Sequence, residues 1–174
     1  MVGARARRAL GGLSLKIRIL AVGRLKAAPE TALVDDYLRR AESSGRACGV
    51  ANISLHEVPE SRRATADERR REESAGLVRL LPPNALVIAL DERGSQLTSS
   101  GFADLIRRHL ERGTSDFAFL IGGPDGLAEA LCKDAGLVLS FGLMTWPHRL
   151  CRVMLAEQVY RAVTILVNHP YHRP

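Results

Sequence analysis

Four short segments of this sequence combine residue types that can do chemistry. Residues 120–126, LIGGPDG, end an apolar run in two glycines and then Pro-Asp-Gly. Glycines admit positive φ and leave room for a ligand against the backbone, and Pro-Asp-Gly closes a tight turn. The same residues would also serve an ordinary strand-to-helix connection. The segment is not G-x-G-x-x-G, and no lysine follows at Walker spacing, so neither common phosphate-binding loop is present. Residues 143–148, LMTWPH, are apolar for a loop that stops at a proline. Such side chains can line a pocket for an aromatic ring or aliphatic chain, or simply pack in the core. His148 alone reads more readily as a capping or hydrogen-bonded residue than as a catalyst. Arg152, Glu157 and Arg161 fall among Val153, Leu155, Val159, Ala162 and Val163 at helical spacing, the pattern of a solvated face on an amphipathic helix. The tail 168–174, NHPYHRP, gathers His169, Tyr171, His172 and Arg173, groups that pair with phosphate and stack on bases. His169 and His172 have no carboxylate or cysteine nearby to complete a metal site, and no metal is expected.

The elements that must position these segments alternate between strand and helix. Residues 15–23, LKIRILAVG, read as a buried strand with Ile17, Ile19 and Ala21 on one face and Arg18, Leu20 and Val22 on the other. Residues 30–42 carry Leu33, Val34, Tyr37, Leu38 and Ala41 at helical spacing, and 50–58 read as a second strand. Residues 60–81 mix arginines with acids, a solvated helix entered near Thr65 and stopped by Pro82-Pro83-Asn84. The apolar runs 85–90 and 117–121 read as buried strands, and 137–144 as one more, broken at Trp146-Pro147. Between them lie a loop over 91–98 and a helix capped by Ser99 or Ser100 that runs to about Arg112. A long helix covers 150–167. This alternation predicts an α/β fold with a mainly parallel sheet flanked by helices. Ligands in such sheets bind outside the carboxyl ends of the strands, so the loops at 91–98, 122–126 and 142–148 are the expected pocket walls.

Composition narrows the partners. The formal charge of +6 and a pI near 9.8 favour an anionic partner such as nucleic acid, although three of the positive charges, Arg5, Arg7 and Arg8, sit in an acid-free stretch over residues 1–14. Aromatic residues are only 5% of the chain, too few for a broad base-stacking sheet. Cys48, Cys132 and Cys151 are an odd set without C-x-x-C spacing, which argues against disulfides and a zinc ribbon and fits a reducing cytoplasm. No apolar run reaches the roughly 18 residues of a membrane helix. The apolar stretch after the first arginines is too short for a secretory signal. Residues 1–14 therefore read as a disordered or misassigned extension, and 15–174 as a single domain.

KIRILAVG, LDERG, LIGGPDG, MTWPHRLCRVMLAEQVYRA and the terminal NHPYHR, in this order and spacing, resemble the RlmH family. These are the bacterial large-subunit ribosomal RNA (pseudouridine-N3)-methyltransferases of the SPOUT class. The resemblance covers residues 15–173. It implies a deep trefoil knot in the C-terminal half, a homodimer, and S-adenosylmethionine bound in the knot. It implies methylation of N3 of a helix 69 pseudouridine in 23S ribosomal RNA, on assembled ribosomes. Residue by residue, it assigns the cofactor to Leu90, Gly122, Gly123, Phe141, Gly142, Leu143, Met144, Thr145 and Trp146. The polar positions His148, Arg152, Tyr171, His172 and Arg173 match those that face the RNA. His172 is then the expected base or base-orienter, assisted by Tyr171, and Arg152 the group that stabilises developing charge. His148 and Arg173 are expected to touch RNA. This sequence departs from the family in the residues before Leu15 and in ending on Pro174.

Three further expectations follow. Gly123→Val should weaken cofactor binding with the fold preserved. Val153, Val159 and Val163 should form an exposed stripe on the long helix that a second copy covers. The tail should serve the partner's active site and order fully only with RNA. The competing readings are a non-catalytic ribosome-associated RNA-binding module on the same fold, and a doubly wound nucleotide-using enzyme. The missing G-x-G-x-x-G counts against the latter.

Overall fold

The structure is a computed structural model that describes residues 14–26 and 28–172. Five parallel strands, β1 (Leu15–Val22), β2 (Val50–Val58), β3 (Leu86–Gln96), β4 (Asp116–Ile121) and β5 (Leu137–Ser140), form one sheet in the order β2-β1-β4-β3-β5. Helices α1 (Pro29–Gly45), α2 (Ala66–Val78), α3 (Ser99–Glu111), α4 (Glu129–Asp134) and α5 (His148–Leu166) cover it. The expectation of a parallel α/β sheet is met.

Alternation along β1 divides the core in two. Leu15, Ile17, Ile19 and Ala21 join Val34 and Leu38 of α1, Phe102 and Ile106 of α3, and Leu155, Val159 and Val163 of α5. Leu20 and Val22 face the other way, onto Leu77 of α2, Leu127 and Cys132. A strand covered on both faces needs apolar residues at nearly every position, and central β4, DFAFLI, is buried throughout.

Several boundaries differ from the sequence reading. The 91–98 segment is not all loop. β3 continues to Gln96, and its pairing with β5 shifts between Leu90 and Ser95, both of which oppose Leu139. Residues 91–94 bow out of the ladder and return, and Gly94 makes the return possible. A Cβ there would stand 2.7 Å from the Val138 carbonyl. β5 ends at Ser140, four residues short of the expected strand. Gly142 takes φ 133, and the Ser140 hydroxyl brackets it, accepting its N–H at 3.0 Å and donating to its carbonyl at 2.8 Å. Thr98, not Ser99 or Ser100, caps α3 by accepting the Gly101 N–H. A capping box of Thr65 and Glu68 starts α2 where expected, but the helix stops at Val78, before the prolines. The long helix begins at His148, two residues early, because Pro147 is pre-set for the residue before a first turn.

The valine stripe is corrected more deeply. Val159 and Val163 are fully buried against the sheet and α1, and Val153 is half-buried. Helical spacing alone shows that they share a side of α5, not that the side faces solvent. The extension expected over residues 1–14 lies, apart from Ser14, outside the described residues, as does Arg173.

Candidate active site

The carboxyl ends of β3, β4 and β5 open into a cleft of about 840 Å³. Leu90 and Ile121 form its floor where their strands pair. One wall is the turn over 122–126, the second the excursion over 91–93, the third the chain from Phe141 to His148. Of the nine residues expected at a cofactor, Leu90, Gly122, Gly123, Phe141, Gly142, Met144, Thr145 and Trp146 all line this one space. Leu143 does not; it is 86% exposed. A glycine-pair turn backed by apolar Leu90, Ile121, Leu127 and Trp146 suits a nucleoside with an aliphatic arm, and the volume fits one.

The glycines of the turn are there for a reason the sequence did not show. A Cβ on Gly122 would sit 2.5 Å from the Gly126 carbonyl carbon, inside the turn itself. A Cβ on Gly123 would point backward into Glu73 and Val22, 3.0 Å from each. Gly122 is therefore required by the way the turn closes, while at Gly123 a side chain would press on two neighbouring side chains. Gly123→Val thus strains packing as well as the cofactor side of the turn.

Charges around the cleft are largely paired. Arg93 forks onto Asp91 with both contacts at 2.8 Å, and this holds the Asp91 carboxyl below the usual range. Arg69 of α2 forks onto Asp125 in the turn at 2.7 and 3.2 Å and lowers that carboxyl in the same way. Arg70 also lines the cleft, and its nearest acid, Asp67, is 4.0 Å away. Thr145 donates to Glu92 at 2.8 Å, tying the last wall to the excursion.

His148 lies on the cleft rim, at the first position of α5, with Glu60 3.8 Å from its Nε2. Burial, reinforced by Arg152 and Arg149 and opposed by Glu60, holds its pKa below the ordinary histidine value. Arg152 is not on the solvated face expected of it. It is 1% exposed, donates to Glu57 at 2.7 Å and to the carbonyl of Gly23 at 2.8 Å, and also bonds the carbonyl of Val22. Those partners lie at the ends of β1 and β2, so Arg152 ties α5 to the sheet and does not project into the cleft. Its neighbour Gly23, at φ 87, leaves space where Arg152, His148 and Glu60 converge.

The tail takes a different place. Tyr171 folds back on its own α5, with its ring 4.6 Å from that of Tyr160 and its hydroxyl donating to Glu157 at 3.1 Å. The guanidiniums of Arg40 and Arg161 lie 5.5 and 5.0 Å from its ring. Burial and Glu157 push the Tyr171 pKa up to about 12. The His172 Nδ1 is buried without a partner among the described residues. Tyr171 is therefore held by internal contacts, against the expectation that the tail has few of them. Neither Tyr171 nor His172 lines the cleft of its own chain. A second, apolar groove of about 430 Å³ runs beside α5, between Tyr37, Leu97, Phe102, Phe141, Val153 and Met154. Leu143, Met144 and Leu150 add exposed apolar surface on the 141–148 wall and the first turn of α5.

Residues that sequence reasoning missed are mostly partners: Glu57, Glu73, Asp125 and Glu92. The one local signal was the four-residue spacing of Arg69 and Glu73, which puts both on one side of α2. Among the described residues no cluster of three His, Cys, Asp or Glu could hold a metal, and no helix is long and apolar enough to cross a membrane.

A family model described as Predicted SPOUT methyltransferase matches residues 15–172. Over 159 residues the chain is 51% identical to ribosomal RNA large subunit methyltransferase H of Allorhizobium ampelinum, covering 91% of this chain and 99% of the relative. The proteins of the same name from Beijerinckia indica and Bradyrhizobium diazoefficiens are each 46% identical over the same coverage.

Proposed function

The chain belongs to the SPOUT methyltransferase family, and from that premise we propose that it methylates N3 of a pseudouridine in helix 69 of 23S ribosomal RNA, using S-adenosylmethionine. The observation that carries the reading is the single cleft at the ends of β3, β4 and β5. It gathers Leu90, the glycine turn and the 141–146 loop, all but Leu143 of the residues the family assigns to the cofactor. The relatives' printed names supply the class of substrate, ribosomal RNA. The deep C-terminal knot comes with family membership.

Bound S-adenosylmethionine supplies a methyl group on a sulfonium, already activated toward a nucleophile. The chain must therefore hold the cofactor, place the base, and remove one proton. Leu90, Ile121 and Trp146 offer the apolar contact for the adenine and methionine parts, and the 122–126 turn and the 141–146 loop offer backbone polar groups. The target nitrogen is an imide N–H and attacks poorly until its proton leaves. His172 takes that proton, with Tyr171 orienting the base and Arg173 meeting RNA. These residues come from a second copy of the chain, because Tyr171 and His172 do not line the cleft of their own chain. Exposed Leu143, Met144 and Leu150, on the 141–148 wall and the first turn of α5, support that homodimer. His148 and Arg70 on the rim face the RNA. Arg152 acts as a positioning residue that holds the start of α5, and with it His148, against β1. The reaction requires no metal, and the protein works in the cytoplasm on ribosomes.

The test is mass spectrometry of 23S ribosomal RNA from cells lacking the protein. Loss of one methyl from the helix 69 fragment, restored by the gene, is the expected result. An unchanged fragment refutes the assignment and favours an RNA-binding module. Light scattering on the purified protein checks the dimer.

A further inference from the structure

Helix α2 lies behind the glycine turn and grips it at successive points. Arg69 holds the Asp125 carboxylate, and Ser74 accepts the Ala128 N–H at 3.0 Å. Between them stands Glu73, 4% exposed. One of its carboxyl oxygens accepts the Ser61 N–H at 2.8 Å. The other is buried with no partner among the described residues and sits 3.0 Å from the position a Cβ on Gly123 would take. An acid in such a place is costly, and a leucine or methionine would fill the same volume without an orphaned oxygen. Native structures keep few such groups, and each one calls for a physical reason.

We propose that Glu73 is a positioning residue for cofactor binding: wedged between the Ser61 N–H and the α-carbon of Gly123, its carboxyl sets the height of the 122–126 turn in the cleft. This rests on reading that cleft as the S-adenosylmethionine site. The geometry accounts for two residues together. Position 123 is glycine because Glu73 occupies the space of its side chain. Glu73 is long and polar because it must span from the 59–61 loop to the turn. The groups facing it are Asp125, Glu60 and Arg69. Burial, opposed by the Ser61 N–H and Arg69 and reinforced by the two acids, raises its pKa.

Titration calorimetry with S-adenosylmethionine tests this on the full chain. The parent protein binds; if it does not, the cleft reading itself fails and Glu73 is not at issue. Glu73→Gln keeps the length and the acceptor for Ser61 and is expected to bind within about twofold of the parent. Glu73→Ala, which removes the wedge, is expected to bind about tenfold more weakly, the scale of one lost hydrogen-bonded contact. Glu73→Asp, which withdraws the carboxyl by about one C–C bond, or 1.5 Å, is expected to lie near alanine. If alanine proves unfolded, the aspartate and glutamine variants decide. Alanine or aspartate binding like the parent overturns the proposal. Glutamine binding as weakly as alanine also overturns it, since charge and not position would then be at work.

Discussion

Removing the Arg152 side chain should unfold the protein more readily before it does anything to RNA. The guanidinium is 1% exposed and satisfies Glu57 and the carbonyls of Val22 and Gly23 at once. Arg152→Ala leaves two carbonyls and a carboxylate without their donor. Breaking a buried pair from one side costs about 3–5 kcal/mol. The Glu57 side chain is 23% exposed and keeps the Leu25 N–H at 2.8 Å, which points to the lower end, about 3 kcal/mol. For a chain of this length that corresponds to a fall of roughly 6–12 °C in Tm. Arg152→Lys keeps the charge but not the fork and should lie between alanine and the parent. Arg152→Met keeps volume without donors and should lie closer to alanine. The assay is thermal unfolding by circular dichroism, paired with methyl transfer to ribosomes lacking the modification. If Arg152→Ala melts within about 2 °C of the parent yet transfers no methyl, Arg152 faces the substrate and the argument from burial is wrong.

Other outcomes follow from the same contacts. Gly123→Ala should cost about 1–3 kcal/mol of stability, the scale of overpacking, and weaken cofactor binding; Gly122→Ala, whose Cβ meets backbone, should cost more, and denaturant titration ranks them. His148, with its pKa lowered by burial, should titrate below the ordinary histidine value in a proton NMR titration. Glu60 raises that pKa, so Glu60→Gln should move it lower still. Protonating a histidine whose folded pKa is depressed removes stability, so the contribution of His148 is complete above the unfolded pKa and is lost as pH falls through that window. Deleting residues 171–174 should lower methyl transfer by about 10²-fold or more, measured with labelled cofactor. It should also lower Tm, because Tyr171 packs on Tyr160 and bonds Glu157; an unchanged Tm would mean those contacts carry no weight.

Much of the fold is written in short-range pattern. Apolar runs bounded by glycine and proline mark β1, β3 and β4, and Thr65 with Glu68 marks the start of α2. What the pattern does not carry is direction. Val159 and Val163 share a helical stripe whether that stripe meets water or a sheet, and only the position of α1 across from α5 decides it. Arg152 looks like a surface arginine because its partners, Glu57 and the carbonyls after β1, lie about 95 and 130 residues away in sequence. The cleft was legible as a set of loops, because ligands gather at the carboxyl ends of parallel strands. Its supporting residues were not, since Glu73 and Asp125 become neighbours of the glycines only after the sheet forms.

The strand order also governs how this chain can fold. β1 is an interior strand, pairing on one side with β2 and on the other with β4, with Ile17 opposite Phe117 about a hundred residues away. Until β4 arrives, one edge of β1 has open backbone groups beside side chains that are apolar at six of eight positions. Closing that pair spans a large loop, and no local hairpin shortens the search. A chain built this way should fold slowly for its size and be most prone to aggregate in the interval before β4 docks, with β1 as the sticky edge.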